Sequence, residues 1–135
     1  MKRPKVLIVD DQPELLEGIA WLLREEGVDV ETHESMITLP LVLREMDPDL
    51  ILLDLSMPAL SGAAVFTLGR KRLRTDAPIV LFSGRSIQEL SRMAEEWGAD
   101  GFLAKSQEPV DIIARILSWL DHRVAVRQAA MGVSA

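Results

Sequence analysis

Five polar side chains follow directly on four short apolar runs that are typical of buried β-strands. They are Asp10 and Asp11 after Val6–Val9, Asp54 after Leu50–Leu53, Ser83 after Ile79–Phe82, and Lys105 after Gly101–Ala104. Clustered carboxylates repel one another unless a cation lies between them. Their oxygen atoms favour Mg²⁺, which commonly shares its site with a phosphate. The pattern indicates phosphoryl transfer, with Asp54 as nucleophile, Lys105 as countercharge and Ser83 as hydrogen-bond donor.

These side chains can meet only if the strands lie side by side. A fifth and more polar run, Val28–Thr32, predicts an edge strand. Strands that alternate with helices predict an α/β fold with a doubly wound parallel sheet. In the strand order 2-1-3-4-5 the four polar strand ends are neighbours, at the rim where such sheets bind ligands.

Five helices fill the gaps between the strands. They are predicted from Leu15, Ile19, Leu22 and Leu23 up to Gly27, around Met36–Met46 with Pro40 in the first turn, after Gly62, from a Ser86/Glu89 capping box, and from Pro109. Predicted helix five has a core-facing stripe of Ile112, Ile116 and Leu120. A second apolar stripe is expected to stay uncovered and comprises Val110, Ile113, Leu117 and Val124.

Length and composition limit the classes of protein. The chain has 135 residues, no cysteine and a net charge of -6, from 15 basic and 21 acidic residues. One domain is expected over residues 1–122, with residues 123–135 as either an extension of helix five or a linker tail. The charge disfavours direct binding to nucleic acid or to an anionic membrane. With no apolar run long enough for a signal peptide or a membrane span, a cytoplasmic location is expected.

Four motifs resemble those of the receiver domains of bacterial two-component response regulators. The motifs are Val9-Asp10-Asp11, Asp54-Leu-Ser-Met-Pro58 with Gly62 downstream, Ser83-Gly84, and Gly98-Ala-Asp-Gly-Phe-Leu-Ala-Lys105. The resemblance runs from about Lys5 to Leu120. It implies a flavodoxin-like fold with five strands and five helices.

The resemblance also implies roles for individual residues. Asp54 would accept a phosphoryl group from a histidine kinase or a histidine phosphotransferase. The Mg²⁺ ligands would be Asp10, Asp11, Asp54 and the Ser56 carbonyl, and Met57 and Gly84 would lie beside the phosphate. Lys105 would contact the acyl phosphate, while Ser83 and the aromatic Phe102 would form the switch.

The implied activity is that of a signalling switch and not of a metabolic enzyme. The domain would catalyse only its own phosphorylation and a slow self-dephosphorylation. The switch would change the surface of helix four, strand five and helix five. The second apolar stripe of helix five predicts that the domain forms a homodimer through this surface.

One position departs from the family pattern. Ser106 stands where receiver domains usually have a proline after the lysine. A cis bond before a residue other than proline costs about 2.5 to 4 kcal/mol, so a trans Lys105–Ser106 bond is expected. Phe102 has no hydroxyl group, so its switching can depend only on packing.

Two alternatives were weighed against the receiver interpretation. A phosphatase of the haloacid dehalogenase type also forms an aspartyl phosphate, but it needs Asp-x-Asp where this chain has Asp11-Gln12-Pro13. A flavodoxin-like electron carrier would bind FMN phosphate after strand one, where Asp10 and Asp11 would repel it. Trp21 is open to two interpretations, as a half-buried side chain or as an exposed side chain at which a kinase docks.

Overall fold

The computed structural model describes residues 3–10, 13–34, 38–54 and 76–130. Its sheet has five strands in the order β2-β1-β3-β4-β5, and every neighbouring pair is parallel. The strands are β1 (Lys5–Val9), β2 (Asp29–His33), β3 (Leu50–Leu53), β4 (Ile79–Ser83) and β5 (Gly101–Ala104). The predicted strand order is therefore confirmed, and β2 is an edge strand as expected.

Helices cover both faces of this sheet. Over the described residues they are a short 3-10 helix (Pro13–Leu16), α1 (Glu17–Glu25), α2 (Leu39–Met46), α3 (Ile87–Trp97) and α4 (Pro109–Ala130). The predicted third helix, after Gly62, lies outside the described residues, so α3 and α4 correspond to predicted helices four and five. Pro40 lies in the first turn of α2, where its missing N–H has no cost. Within the described part of the chain, no helix is both long enough and apolar enough to span a membrane.

The central strands β1, β3 and β4 are apolar on both faces because helices bury both faces. Val6, Ile8, Val80 and Phe82 belong to the core cluster that includes residues of α1 and α4. Leu81, on the opposite face, packs with residues of α3. This alternation determines the face of the sheet towards which each polar side chain at a strand end points.

The register of the strands brings their carboxyl ends level. Val9 pairs with Leu53, and Ser83 pairs with Ala104. The backbone hydrogen bonding between β1 and β3 continues one residue past the end of β3, where the Asp54 N–H donates to Val9 O at 2.9 Å. The residues that follow β1 and β3 are thereby held as immediate neighbours.

The ends of α3 have the residues that helix termini require. The Ser86 hydroxyl accepts a hydrogen bond from the Glu89 N–H at 3.2 Å, as the capping pattern predicts. At the other end, Gly98 has a φ of 73°, a left-handed conformation that favours glycine. The first turn of α3 is therefore fixed close to Ser83.

The predicted uncovered stripe on helix five, which is α4 in the structure, is wrong for Ile113 and only partly right for Leu117. Ile113 is buried in the same cluster as Ile112, and Leu117 is partly buried against that cluster. A helix packed on a sheet buries an arc of 100° or more, which is wide enough to take in both stripes. Val110 is exposed, and the side chain of Val124 lies outside the described residues.

Candidate active site

Two carboxylates and one ammonium lie at one rim of the sheet, each at the end of a different strand. Asp10 follows β1, Asp54 follows β3 and Lys105 follows β5. All three continue the alternation of side chains that face the core cluster of α1 and α4. The structure thus brings together three of the residues predicted to form the site.

The Lys105 ammonium pairs with two buried carboxylates. Its Nζ atom lies 2.8 Å from Asp10 Oδ2 and 3.6 Å from Asp54 Oδ2. The carboxylate side chains are 1% and 2% exposed, whereas Lys105 is 26% exposed. Buried charges are retained in proteins when they are paired and hydrogen-bonded. Lys105 supplies the positive charge that these two carboxylates need.

Ser83 lies at the same rim but starts from the other face of the sheet. The residue is buried, and its hydroxyl oxygen accepts a hydrogen bond from the Arg85 N–H at 3.3 Å. Its carbonyl accepts from the Lys105 N–H at 2.8 Å. The backbone at Ser83 is therefore tied to the backbone at Lys105, while the hydroxyl hydrogen can still be donated to a ligand.

Phe102 lies on the same face as Ser83, in the next row down the sheet. It pairs in register with Leu81 and packs, partly buried, against the cluster that includes Leu90 of α3. The two predicted switch residues thus share one face beneath one helix.

The position after the lysine has the geometry expected for a residue other than proline. No cis peptide bond occurs in the described ranges, which include Lys105 and Ser106, so this bond is trans as predicted. A turn follows, in which the Gln107 N–H donates to Ala104 O at 3.1 Å. Lys105 reaches both carboxylates from this turn without a proline.

Comparison with known proteins decides the family. The model of the response regulator receiver domain matches residues 6–117. This chain belongs to the response regulator receiver domain family. The receiver domain is 34% identical over 116 residues to the DNA-binding response regulator MtrA of Mycolicibacterium smegmatis, an alignment that covers 84% of this chain and 49% of MtrA.

Solved structures agree with this assignment. The CheY-like receiver domain protein of Methanospirillum hungatei is 25% identical with a TM-score of 0.77, covering 92% of this chain and 98% of that one. The BeF₃-activated receiver domain of RstA from Klebsiella pneumoniae is 30% identical with a TM-score of 0.73, covering 86% and 97%. The family match supports the receiver interpretation and gives no support to the haloacid dehalogenase alternative. The chain spans about half the length of the curated relatives it matches.

The described donor atoms of the receiver domain suit a hard cation. Asp10 and Asp54 supply carboxylate oxygens at one buried point, and carboxylate oxygen is the ligand type that Mg²⁺ prefers. Within the described ranges no group of three or more acidic or histidine side chains could hold a metal. The other predicted ligands, Asp11 and the Ser56 carbonyl, lie outside those ranges, as does Met57.

Gly84 and Trp21 both lie on the surface of the receiver domain. A Cβ atom added at Gly84 would have no described neighbour within 4 Å, and its place beside the phosphate stays a prediction. Trp21 is 59% exposed and is therefore not half-buried, while docking of a kinase at this side chain stays a prediction. Its ring borders a groove of about 630 Å³ that is also lined by Glu14, Glu17 and Arg24.

Phe82, which the apolar pattern predicts only as a core residue of a buried strand, also contacts the lysine. The Lys105 Nζ atom lies over the Phe82 ring, 5.5 Å from the ring centroid. Alternation along β4 and β5 would have indicated this contact, since Phe82 and Lys105 are in phase with the same core cluster. The sequence pattern alone does not give the distance.

Proposed function

We propose that the receiver domain is a phosphorylation-dependent signalling switch that accepts a phosphoryl group on Asp54. The observation that carries this proposal is the buried Asp54 carboxylate, 3.6 Å from the Lys105 ammonium. The same ammonium lies 2.8 Å from Asp10 Oδ2, so one lysine reaches both carboxylates. A cation beside Asp54 would offset the negative charge of an incoming phosphoryl group.

In the proposed step a carboxylate oxygen of Asp54 forms a bond to phosphorus. The phosphorus–nitrogen bond of the donor phosphohistidine breaks, and the leaving imidazole nitrogen keeps the bonding electron pair. Lys105 balances the charge on the phosphoryl oxygens, because an ammonium acts as a compact point charge for phosphate. Mg²⁺, held by Asp10, Asp11, Asp54 and the Ser56 carbonyl, would supply further charge neutralisation when bound.

The switch would follow from a hydrogen bond made by Ser83. Its hydroxyl would turn to donate to a phosphoryl oxygen on Asp54. Phe102, which shares the face of Ser83, would then pack further inward. The surface of α3, β5 and α4 would change its population of states, to the extent that a partner binds one state more tightly.

The proposed phosphoryl donor is a histidine kinase or a histidine phosphotransferase of the cytoplasm. Exposed Trp21, next to the Glu14 and Glu17 carboxylates, offers an apolar ring with an acidic rim for such a protein. A second copy of the receiver domain is the proposed partner of the α3, β5 and α4 surface. The domain would act as a switch and would turn over no metabolite.

The experiment is incubation with acetyl phosphate and Mg²⁺, followed by intact-mass measurement. One phosphoryl group should be added to the wild-type chain, and chelation of Mg²⁺ should prevent the addition. Asp54→Asn should abolish it, whereas the exposed control Asp121→Asn should leave it unchanged. An undiminished gain by Asp54→Asn would refute the proposal, and turnover of a phosphomonoester would favour the phosphatase.

A further inference from the structure

The Lys105 ammonium lies near an aromatic ring as well as near two carboxylates. The ring is that of Phe82, which is 2% exposed and belongs to the core cluster of α1 and α4. The ammonium lies 5.5 Å from the ring centroid and 2.8 Å from Asp10 Oδ2. The ammonium thus has one neighbour, the Phe82 ring, that is uncharged and buried away from solvent.

A cation within about 6 Å of an aromatic face is attracted by the negative potential of that face. The attraction is larger where water is scarce, and the carboxylates beside this ammonium are nearly fully buried. A leucine of similar apolar character would fill part of the space but would offer no such face. Phe82 can therefore attract the Lys105 ammonium through its ring face, in addition to filling space in the core.

The Lys105 side chain is not held in its paired position by burial alone. It has four rotatable carbon bonds and is 26% exposed, so rotamers that point into water compete with the paired one. Phe82 restricts those rotamers, because its ring occupies the space beside the bound ammonium. The ring is buried and uncharged, so its contact with the ammonium does not depend on the charge of Asp54.

We infer that Phe82 is a positioning residue for phosphoryl transfer, which holds the Lys105 ammonium against the site through its ring face. The inference rests on the proposed function, in which Asp54 is the acceptor and Lys105 balances the phosphoryl charge. Phe82 acts through Lys105 and does not touch the phosphoryl group. A role in core packing alone is the competing explanation.

The experiment replaces Phe82 by phenylalanines of increasing fluorination, incorporated by codon suppression into the full chain. Fluorination withdraws the negative potential of the ring face while nearly preserving its shape, so the core stays filled. Phosphorylation by acetyl phosphate with Mg²⁺ should slow progressively, by about fivefold for the fully fluorinated ring. Phe82→Leu should slow it at least as much.

Two comparisons separate positioning from packing. Val80→Ala removes apolar volume from the same strand and face, and should lower the melting temperature without a comparable loss of rate. In a Lys105→Ala background the fluorinated rings should have no further effect on the rate, because the group they position is gone. A proton NMR measurement should show ring-current shifts of the Lys105 ε-methylene that disappear in Phe82→Leu.

Equal phosphorylation rates across the fluorinated series would overturn the inference, as would an equal effect in the Lys105→Ala background. Absence of the ring-current shifts would also overturn it, independently of phosphorylation. Failure of the wild-type chain to gain a phosphoryl group on Asp54 would refute the proposed function instead. The two failures are thus distinguishable.

Discussion

The Asp10 carboxylate lies 2.8 Å from the Lys105 ammonium, although 95 residues separate them in the chain. The contact exists because β1 and β5 end at the same rim of one parallel sheet. This lysine places a positive charge beside two buried carboxylates. In the proposed site, Mg²⁺ and Lys105 would act on the same negative charge.

Lys105→Met should destabilise the metal-free domain by about 2 kcal/mol, because it leaves a buried carboxylate without its cation. The cost is below that of a fully buried pair because the lysine is partly exposed. Millimolar Mg²⁺ should then stabilise the variant more than it stabilises the wild type, by mass action on the folded state. Urea denaturation with and without Mg²⁺ measures both effects.

The control for this prediction is Lys5→Met. Lys5 Nζ donates to Met46 O at 3.3 Å, away from the carboxyl ends of the strands. The control should leave the response to Mg²⁺ unchanged. Equal stabilisation of wild type and Lys105→Met by Mg²⁺ would mean that the lysine and the metal do not share their charge partners.

Asp11→Asn should raise the melting temperature of the metal-free protein, because it removes one of the mutually repelling carboxylates that the sequence predicts at this rim. The same change should abolish stabilisation by millimolar Mg²⁺. Thermal unfolding followed by circular dichroism measures both, with exposed Asp121→Asn as control. A normal Mg²⁺ response in Asp11→Asn would exclude Asp11 from the ligand set.

Gly101→Ala should destabilise the fold by about 1 to 3 kcal/mol, because the added methyl group would collide with the Trp119 ring of α4. Gly84→Ala, which meets no described neighbour within 4 Å, is the matched control. Denaturant unfolding measures the difference. Trp119→Leu in the Gly101→Ala background should recover part of the loss, and absence of recovery would show that the collision is not the cause.

Every strand end was predictable from sequence to within one residue, and in the central strands this is because runs buried on both faces leave an unbroken apolar pattern. The rim was predictable too, since parallel topology brings strand ends together whatever the packing. The shorter distance from the lysine to Asp10 than to Asp54 was not predictable, because the two distances differ by less than an ångström. Ile113 was misassigned because periodicity does not reveal how wide an arc of a helix the sheet covers.

Phosphorylation should promote self-association through the surface of α3, β5 and α4. Val110, at the start of α4, is 75% exposed and is a better probe of that surface than half-buried Leu117. Sedimentation with beryllofluoride and Mg²⁺ should show a dimer that Val110→Glu weakens. Leu41→Glu, at an exposed position on α2, should have no effect. A protein that stays monomeric both with and without beryllofluoride would contradict this prediction.

The most direct measurement of the central claim locates the phosphoryl group on the chain. Borohydride reduces an aspartyl phosphate to homoserine, which marks the phosphorylated position permanently. After phosphorylation of the wild-type protein by acetyl phosphate and Mg²⁺, peptide sequencing by mass spectrometry should find homoserine at position 54. Homoserine at position 10 or 11 with none at position 54, or no homoserine in a protein that has gained a phosphoryl group, would contradict the account.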